Sequence, residues 1–486
     1  MLAGEDPLRR TLFALVLASV AACTVGPDYR RPDLAVSPTW SRPASADLSQ
    51  SAGATDTATG EPSQATTTPE PQRDLAQWWK RFADSTLTSL VERAVKSNVD
   101  VEVAEARVRQ AVASRRIASS QLWPSLDASA ATSAGTGADN STLLASAGYL
   151  LDLFGGVRRS VEAADADIQA SIEERHAVLL ALVGEVASTY IELRGSQSAI
   201  ATLRQNLATQ QETWDLTKAR RSVGLASDLD VERARAQAAG TSAALSPLES
   251  IREQSVHRLG VLLGGQPAAL TGELRAQAAI PSAPSQILVG VPADLLRRRP
   301  DLRRAERELA AATARVGAAT ADLYPRFTLT GSVGLASASL DDLLKSGSRL
   351  TTLSPSIVWP VFAGGAIRGA IRVRDAQQEE ALARYEATLL AALEDVENAF
   401  VRHTREQLRR RDLEEAVDAN REAAELARRL YSNGLVGFLD VLVAERSLVE
   451  SESRLVDSQT AVSTTLVAIY VALGGGWEEA EEVRLQ

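Results

Sequence analysis

The sequence predicts an α+β membrane protein in which strands from several chains form a β-barrel that continues into long helices. Three features predict this class. Four segments alternate apolar and polar residues, two proline-free stretches keep helical periodicity over about 65 residues, and the pattern repeats after about 210 residues. This repeat is much longer than the roughly 20 to 50 residues of a solenoid unit, which indicates duplication of a whole structural half.

The alternating segments predict strands at 125–134, 143–154, 326–336 and 351–362. In the third strand Phe327 and Leu329 point one way, and Thr328 and Thr330 point the other. Segments of about ten residues can cross a bilayer as tilted strands. Because four strands cannot close a barrel and lipid does not tolerate open sheet edges, several chains must contribute strands. The number of strands alone would also allow a dimer with a barrel of eight strands.

The N-terminus is typical of a secretory signal peptide over residues 1–22, because Arg9 and Arg10 precede a short apolar run that ends in small residues. Cys23, the only cysteine of the chain, follows directly. This resembles the bacterial lipobox and predicts a covalent lipid on Cys23; an unmodified cysteine beside an ordinary cleavage site is the alternative. Residues 23–84 are predicted as the lipidated segment and a linker, and no transmembrane helix is expected after Cys23.

The two repeats have the same predicted order of elements. The first, 85–264, contains a long helix at 157–223 and a return helix at 226–263, which Pro247 should kink. A proline-containing equatorial linker at 265–290 leads to the second repeat, 291–475. This repeat contains a long helix at 366–432 and a return helix at 437–473, and 476–486 is a C-terminal tail.

Composition excludes several classes of function. The formal net charge of −10, with no dominant basic stripe, argues against a nucleic-acid partner. One cysteine and three histidines leave little for a metal site, and no nucleophile elbow or phosphate loop is present. We therefore expect neither an enzyme nor a cofactor other than the lipid on Cys23.

Three motifs and the duplication carry a resemblance to a known family. The motifs are CTVGPDYRRP from Cys23, LRRRPDL from Leu296 and YSNG from Tyr431. Together they resemble the TolC-like outer-membrane factor family, in its lipoprotein (NodT-type) branch. The resemblance implies a homotrimer whose twelve strands form an outer-membrane barrel, continuing as a long α-helical barrel through the periplasm.

The same resemblance implies a function and site residues. The function is that of the outer-membrane channel of a tripartite efflux pump, which works with a periplasmic adaptor and an inner-membrane RND-type pump. Tyr431, Asp440 and Asp230 match the family's periplasmic gate, although ordinary helix N-terminal acids are the alternative for both aspartates. The turns with Gly224 and Leu225 and with Gly434 and Leu435 would contact the adaptor.

Two departures from the family pattern concern the gate. Val443 stands in the place of a second gate aspartate, and Val436 in the place of a basic residue. We therefore expect the closed state of the gate to have fewer ion pairs and more apolar packing. Two other functions stay open: a channel for ABC-type protein secretion, and a lipid-anchored coiled-coil scaffold without a pore. The paired strands favour a channel over the scaffold, which has no need of them.

Overall fold

The structure is a computed structural model of the chain. It describes residues 24–33, 75–133, 140–282 and 298–478. The predicted signal peptide, Cys23, most of the linker before the first repeat and most of the C-terminal tail lie outside the described residues. The described chain forms two compact units.

The first unit, here called the sheet unit, falls in Met1–Leu34, Glu105–Glu174 and Asp301–Thr388. It holds one antiparallel sheet of four strands in the order β1-β2-β3-β4. The strands are β1 Ser125–Ser133, β2 Asn140–Leu151, β3 Arg326–Ser337 and β4 Arg349–Val358. Each repeat therefore supplies two neighbouring strands, and β2 and β3 join the repeats at the centre of the sheet.

Two strands end earlier than the sequence pattern indicates, at Leu151 instead of 154 and at Val358 instead of 362. After β2 the chain turns, and the Asp152 carboxylate accepts the backbone N–H of Arg158, 2.9 Å away, at the start of the next helix. After β4, Pro360 has no N–H for a strand ladder. Trp359, which falls within the predicted strand 351–362, lies beyond the observed strand and donates from Nε1 to the carbonyl of Leu323 at 3.1 Å.

The helices are amphipathic or buried segments bounded by proline, glycine and capping side chains. Pro300 is the first residue of α6, where its missing N–H is not needed, so the arginine-rich motif before it opens a helix. The described helices are α1 Ser85–Ser97, α2 Val99–Ser120, α3 Gly156–Ser222, α4 Asp228–Ala243, α5 Leu245–Leu262, α6 Pro300–Ala321, α7 Ala366–Ser432 and α8 Phe438–Ala472.

The return helix of the first repeat is divided at Ala244, where α4 gives way to α5. Pro247 explains the division, because a proline cannot donate to the carbonyl four residues before it. The return helix of the second repeat, α8, has no proline and runs unbroken.

Two helices, α3 and α8, each contain an 18-residue window that is long and apolar enough to cross a membrane by length and composition alone. These windows are 61% and 50% buried against other parts of the protein. Their apolar residues pack in the interior, so they are weak evidence for a membrane span. The expectation of no transmembrane helix stays a prediction.

The second unit, here called the hairpin unit, falls in Ala35–Ala104, Arg175–Pro300 and Leu389–Gln486. Its core contains Trp78 and Trp79 from a 3₁₀ turn, together with Tyr190 of α3 and Tyr470 of α8. The Trp78 ring stacks on Tyr470 at 5.3 Å between centroids, and its Nε1 donates to the carbonyl of Gly475 at 3.1 Å. The last residues of the predicted segment 23–84 are thus held against the end of the second repeat.

Candidate functional site: an exposed apolar sheet face and two helical turns

The register of the sheet places most of the large apolar residues of the four strands on one face. Leu151 pairs with Phe327, and Phe327 pairs with Ile357, so the three side chains share a face. The same alternation continues along the whole sheet. This apolar face contains Leu126, Ala128, Ala130, Leu143, Ala145, Ala147, Tyr149, Leu151, Phe327, Leu329, Val333, Leu335, Leu353, Pro355 and Ile357.

The apolar face is not covered by other described parts of the chain. Leu353 is 73% exposed, Ile357 66% and Val333 59%. A sheet of a water-soluble domain packs its apolar face against another layer. This face therefore requires a cover from outside the described residues, and an apolar band on the outside of an antiparallel sheet is the pattern of a bilayer-facing barrel wall.

The opposite face is mainly polar, with Thr328, Thr330 and Ser332 of β3 beside Ser354 and Thr352 of β4. The apolar residues on this face are Leu144, Leu150, Leu350 and Val358, together with alanines. The Thr330 hydroxyl donates to the carbonyl of Ser354 at 3.1 Å, and Ser332 bonds Thr352 at 2.6 Å. In the described residues β1 and β4 each pair on one side only. The sheet thus has an apolar face, a polar face and two open edges.

The predicted turns lie at equivalent places in the hairpin unit. Gly224 has φ +78° and Gly434 has φ +73°, a conformation that favours glycine. Around each glycine the helix ends with paired backbone bonds: Leu225 donates to Arg220 at 2.8 Å, and Leu435 donates to Leu430 at 2.9 Å. Both leucines project from their turns, with 66% and 70% of their surface exposed.

The two predicted gate aspartates have matching structural roles. Asp230 Oδ2 accepts the backbone N–H of Ser227 at 3.1 Å, and Asp440 Oδ2 accepts that of Gly437 at 3.1 Å. Each carboxylate thus caps the N-terminus of its return helix, where a negative charge is favourable. The structure shows these acids as helix caps, and their part in a gate stays a prediction.

Tyr431, the third predicted gate residue, lies in a small core with Phe438 and Val441 and is only 4% exposed. The Arg220 guanidinium lies 4.7 Å from the centre of the Tyr431 ring, within the range of a cation–π contact. The Tyr431 hydroxyl has no hydrogen-bond partner among the described residues. This tyrosine joins α3, α7 and α8 just before the second turn.

The two valines that depart from the family pattern differ in their surroundings. Val436 packs against the Tyr431 core, whereas Val443 is 56% exposed on α8. Val436 contributes apolar packing at the position that the family resemblance matches to a basic residue. Val443 presents an apolar side chain at the position that the resemblance matches to a carboxylate.

Sequence reasoning missed a polar seam inside the hairpin unit. Glu445 of α8 is only 3% exposed and accepts hydrogen bonds from Arg428 Nε at 2.8 Å and from Thr213 Oγ1 at 2.9 Å. One heptad along α8, Glu452 accepts from Arg421 at 3.1 Å and from Asn206 at 2.8 Å. The sequence does carry one signal for this seam: Arg421 and Arg428 are seven residues apart, and so are Glu445 and Glu452. Such a seam fixes the register of packed helices.

The histidines occupy structural positions. His403 is 3% exposed and bonds Thr465 at 3.0 Å and Gln407 at 2.8 Å. Burial lowers the pKa of His403 to about 4, so it is neutral near pH 7. The His176 ring stacks on Trp477 at 4.2 Å. Within the described ranges, no group of three or more His, Cys, Asp or Glu side chains could hold a metal ion.

Comparison with known proteins points to one family. The family described as Outer membrane efflux protein matches the chain twice, over residues 90–265 and 291–475. The chain is 31% identical over 492 residues to the probable efflux pump outer membrane protein TtgC of Pseudomonas putida, with 97% of each chain covered. It is 29% identical over 483 residues to Nodulation protein T of Rhizobium leguminosarum bv. trifolii, covering 97% of this chain and 98% of the relative.

A solved structure shares the fold. The outer-membrane channel OprN superimposes with a TM-score of 0.82 and 34% sequence identity, covering 94% of this chain and 100% of the OprN chain. The repeated match over both halves of the chain agrees with the predicted duplication.

Proposed function

Because this chain belongs to the family of outer membrane efflux proteins, we propose that it is the outer-membrane channel subunit of a tripartite efflux pump that exports small toxic molecules. TtgC is named as a probable efflux pump outer membrane protein and OprN as an outer-membrane channel. The chain is accordingly a protein of the outer membrane that extends into the periplasm.

The observation that carries this function is the exposed apolar face of a four-stranded sheet with open edges. In lipid an open edge leaves backbone groups without partners, so β1 of one copy must pair with β4 of the next. Three copies give a barrel of about twelve strands, with the apolar face toward lipid and the polar face lining a water-filled pore. The number three follows from the family resemblance.

The partners of this channel are a periplasmic adaptor and an inner-membrane RND-type pump. We assign the adaptor contact to the two turns with Gly224, Leu225, Gly434 and Leu435, whose exposed leucines support it. Crosslinking from position 225 or 435 should capture the adaptor. Crosslinks from buried Val441 should not.

The periplasmic gate is assigned to Asp440, Asp230 and Tyr431. Each cap uses Oδ2 of its aspartate, and the Asp440 side chain is exposed. Three symmetry-related carboxylates at a narrow mouth would favour cations. Replacing Asp440 by Asn keeps an oxygen for the cap and removes the charge, so cation preference should fall while folding is retained.

Cys23 is assigned as the acylated residue that fixes the mature N-terminus to the membrane. Acyl chains add about 0.8 kcal/mol of membrane affinity per buried CH₂ group. Cys23→Ser should abolish labelling with radioactive palmitate. Labelling that persists in this variant would show that the lipid is attached elsewhere.

The function is tested by conductance of the mature protein in planar lipid bilayers. The channel hypothesis predicts discrete conductance steps from purified trimer. A well-folded trimer that gives no conductance would support the scaffold without a pore.

A further inference from the structure

Two leucines and a glycine share one row of the polar face of the sheet. Leu144 of β2 lies opposite Gly334 of β3, and Gly334 lies opposite Leu350 of β4. Both leucines are partly exposed. Neighbouring strands are about 4.8 Å apart, so the leucines stand on either side of a strand that presents no side chain between them. We call this apolar depression the notch, with Gly334 as its floor.

Close packing keeps the floor of the notch free of a side chain. A Cβ added to Gly334 would lie 2.1 Å from the carbonyl oxygen of Leu143 and 2.9 Å from Leu144 Cδ2, which is too close for any side chain. The Leu144 side chain therefore lies against the floor. The interior of a barrel with a water-filled pore is polar, so partly exposed leucines on this face are exceptions to the pattern. The notch is thus a fixed apolar feature of a polar wall.

A carboxylate lies next to the notch on the same face. Asp127 of β1 pairs with Ser146 of β2, which is two residues from Leu144 along the strand. Residues two apart in a strand point the same way and are about 7 Å apart. The row of Asp127 continues through the hydroxyl groups of Ser332 and Thr352, which bond to each other. Asp127 is exposed, and among the described residues its carboxylate has no hydrogen bond or ion pair.

The other charged residues of the four strands do not compensate Asp127. They are Arg326 and Arg349. Arg326, the first residue of β3, pairs with the Asp322 carboxylate. Arg349 is opposite Leu335 and therefore belongs to the apolar face. In the described strands Asp127 is thus the only charge of the polar face without a partner, and a carboxylate on the wall of a pore attracts cations.

The notch and the carboxylate together fit one chemical class of small molecule. An ammonium group that pairs with Asp127 leaves an apolar group of the same molecule about 7 Å away, over the notch. An inorganic cation would gain nothing from the leucines, and a neutral apolar molecule would gain nothing from the carboxylate. We propose that Asp127, Leu144 and Leu350 form a luminal patch in each subunit that binds amphipathic cations, such as lipophilic amines. This inference rests on the proposed function, in which the polar face lines the pore, and it names a class of cargo.

Reaction of an engineered thiol tests the charge of the luminal patch. Ser146→Cys places the thiol opposite Asp127 in the mature, full-length trimer in detergent. Mass spectrometry measures its rates of reaction, at low salt, with a trimethylammonium and a sulfonate methanethiosulfonate, each relative to free cysteine. A unit charge about 4 Å away changes the local concentration of either reagent about fivefold in water, in opposite directions. The cationic reagent should therefore be favoured about tenfold or more.

Two matched substitutions in the Ser146→Cys background identify the source of this preference. Asp127→Asn should bring the ratio of the two rates close to one, because the amide carries no charge. Asp341→Asn is the control, since Asp341 is an exposed carboxylate of the 3₁₀ turn between β3 and β4, and it should leave the ratio unchanged. The same ratio in all three proteins would overturn the role of Asp127.

Protection by tetraphenylphosphonium tests the apolar part of the luminal patch, with an uncharged methanethiosulfonate as the reagent. This lipophilic cation should slow modification of Ser146→Cys in a saturable way, by about threefold or more, whereas tetramethylammonium should not. Leu144→Ser and Leu350→Ser, each compared as intact trimer, should both weaken the protection. Equal protection by the two cations, or protection that survives both leucine substitutions, would overturn the notch as a binding site.

A thiol elsewhere on the same face controls for general binding of the probe. Ser356→Cys lies four residues from Thr352 along β4, about 13 Å away, and tetraphenylphosphonium should not protect it. Equal protection at both thiols would overturn the luminal patch. Planar-bilayer conductance of the same trimers tests the channel separately. Conductance without charge preference or protection rejects only the patch, and both effects without conductance reject only the channel.

Discussion

A charge placed on the apolar face of the sheet should prevent assembly, and the same charge on the polar face should not. Val333 and Ser332 are neighbours in β3 and lie at the same depth on opposite faces. Val333 is opposite Ala145 and Thr351, and its side chain is 59% exposed. In the barrel that exposed surface would contact acyl chains.

The expected cost follows from the place of Val333 near the middle of β3, Arg326–Ser337. An arginine at the bilayer midplane costs about 2–4 kcal/mol in a transmembrane barrel, so three copies in a trimer cost roughly 6–12 kcal/mol. Ser332→Arg places the same side chain in the water-filled interior, where we expect a change in ion selectivity and little loss of trimer.

The assay is the fraction of heat-modifiable trimer in isolated outer membranes, with total protein measured in parallel. Val333→Arg should leave little trimer, and Ser332→Arg should resemble the unchanged protein. Equal trimer yields from the two variants would refute the assignment of faces, and a defect confined to Ser332→Arg would reverse it.

Three further predictions concern the hairpin unit, and chemical unfolding of the mature protein in detergent measures each of them. Glu445→Ala leaves Thr213 and the partly exposed Arg428 without their shared carboxylate, so the free energy of unfolding should fall by about 2–3 kcal/mol. The control Glu450→Ala removes an exposed ion pair with Arg454 and should lower it by less than about 1 kcal/mol. Equal effects of the two variants would contradict a buried seam. The pKa of His403 is about 4 in the folded protein, below its unfolded value of about 6.5. Above pH 6.5 the imidazole is neutral in both states and the protein keeps its full stability. As the pH falls toward 4, the unfolded state takes up the proton first, and at most about 3 kcal/mol of stability is lost. His403→Gln should flatten that part of the pH dependence, and an unchanged slope would argue against a buried neutral imidazole. Gly434→Ala should destabilise by about 1 kcal/mol because φ is +73°, and Gly240→Ala, inside α4, should stabilise by a similar amount; the same sign for both would refute the conformational argument.

The sequence pattern predicted the strands well where two faces differ. The alternation of Phe327 and Leu329 with Thr328 and Thr330 specifies a register, because a slip by one residue would exchange the faces. Strand ends were less predictable. Leu153 and Trp359 continue the alternation but lie beyond the strands, since a helix cap and Pro360 end the ladders.

The partners within the polar seam could not be derived from local pattern. Glu445 and Arg428 come from different helices, and each alone is an ordinary charged residue of a helical sequence. Arg159 and Asp28 are likewise far apart in the chain and meet only in the folded sheet unit. Pairings between distant residues depend on tertiary packing, which a periodicity does not encode.

The central claim is that the apolar face of the four-stranded sheet contacts acyl chains. Fluorophores attached to Val333→Cys and Ser332→Cys in reconstituted vesicles test it most directly, with brominated lipids and a water-soluble ion as the two quenchers. The account predicts quenching by brominated lipid at position 333 and by the aqueous ion at position 332. Aqueous quenching at both positions, from protein that is folded and trimeric, would contradict it.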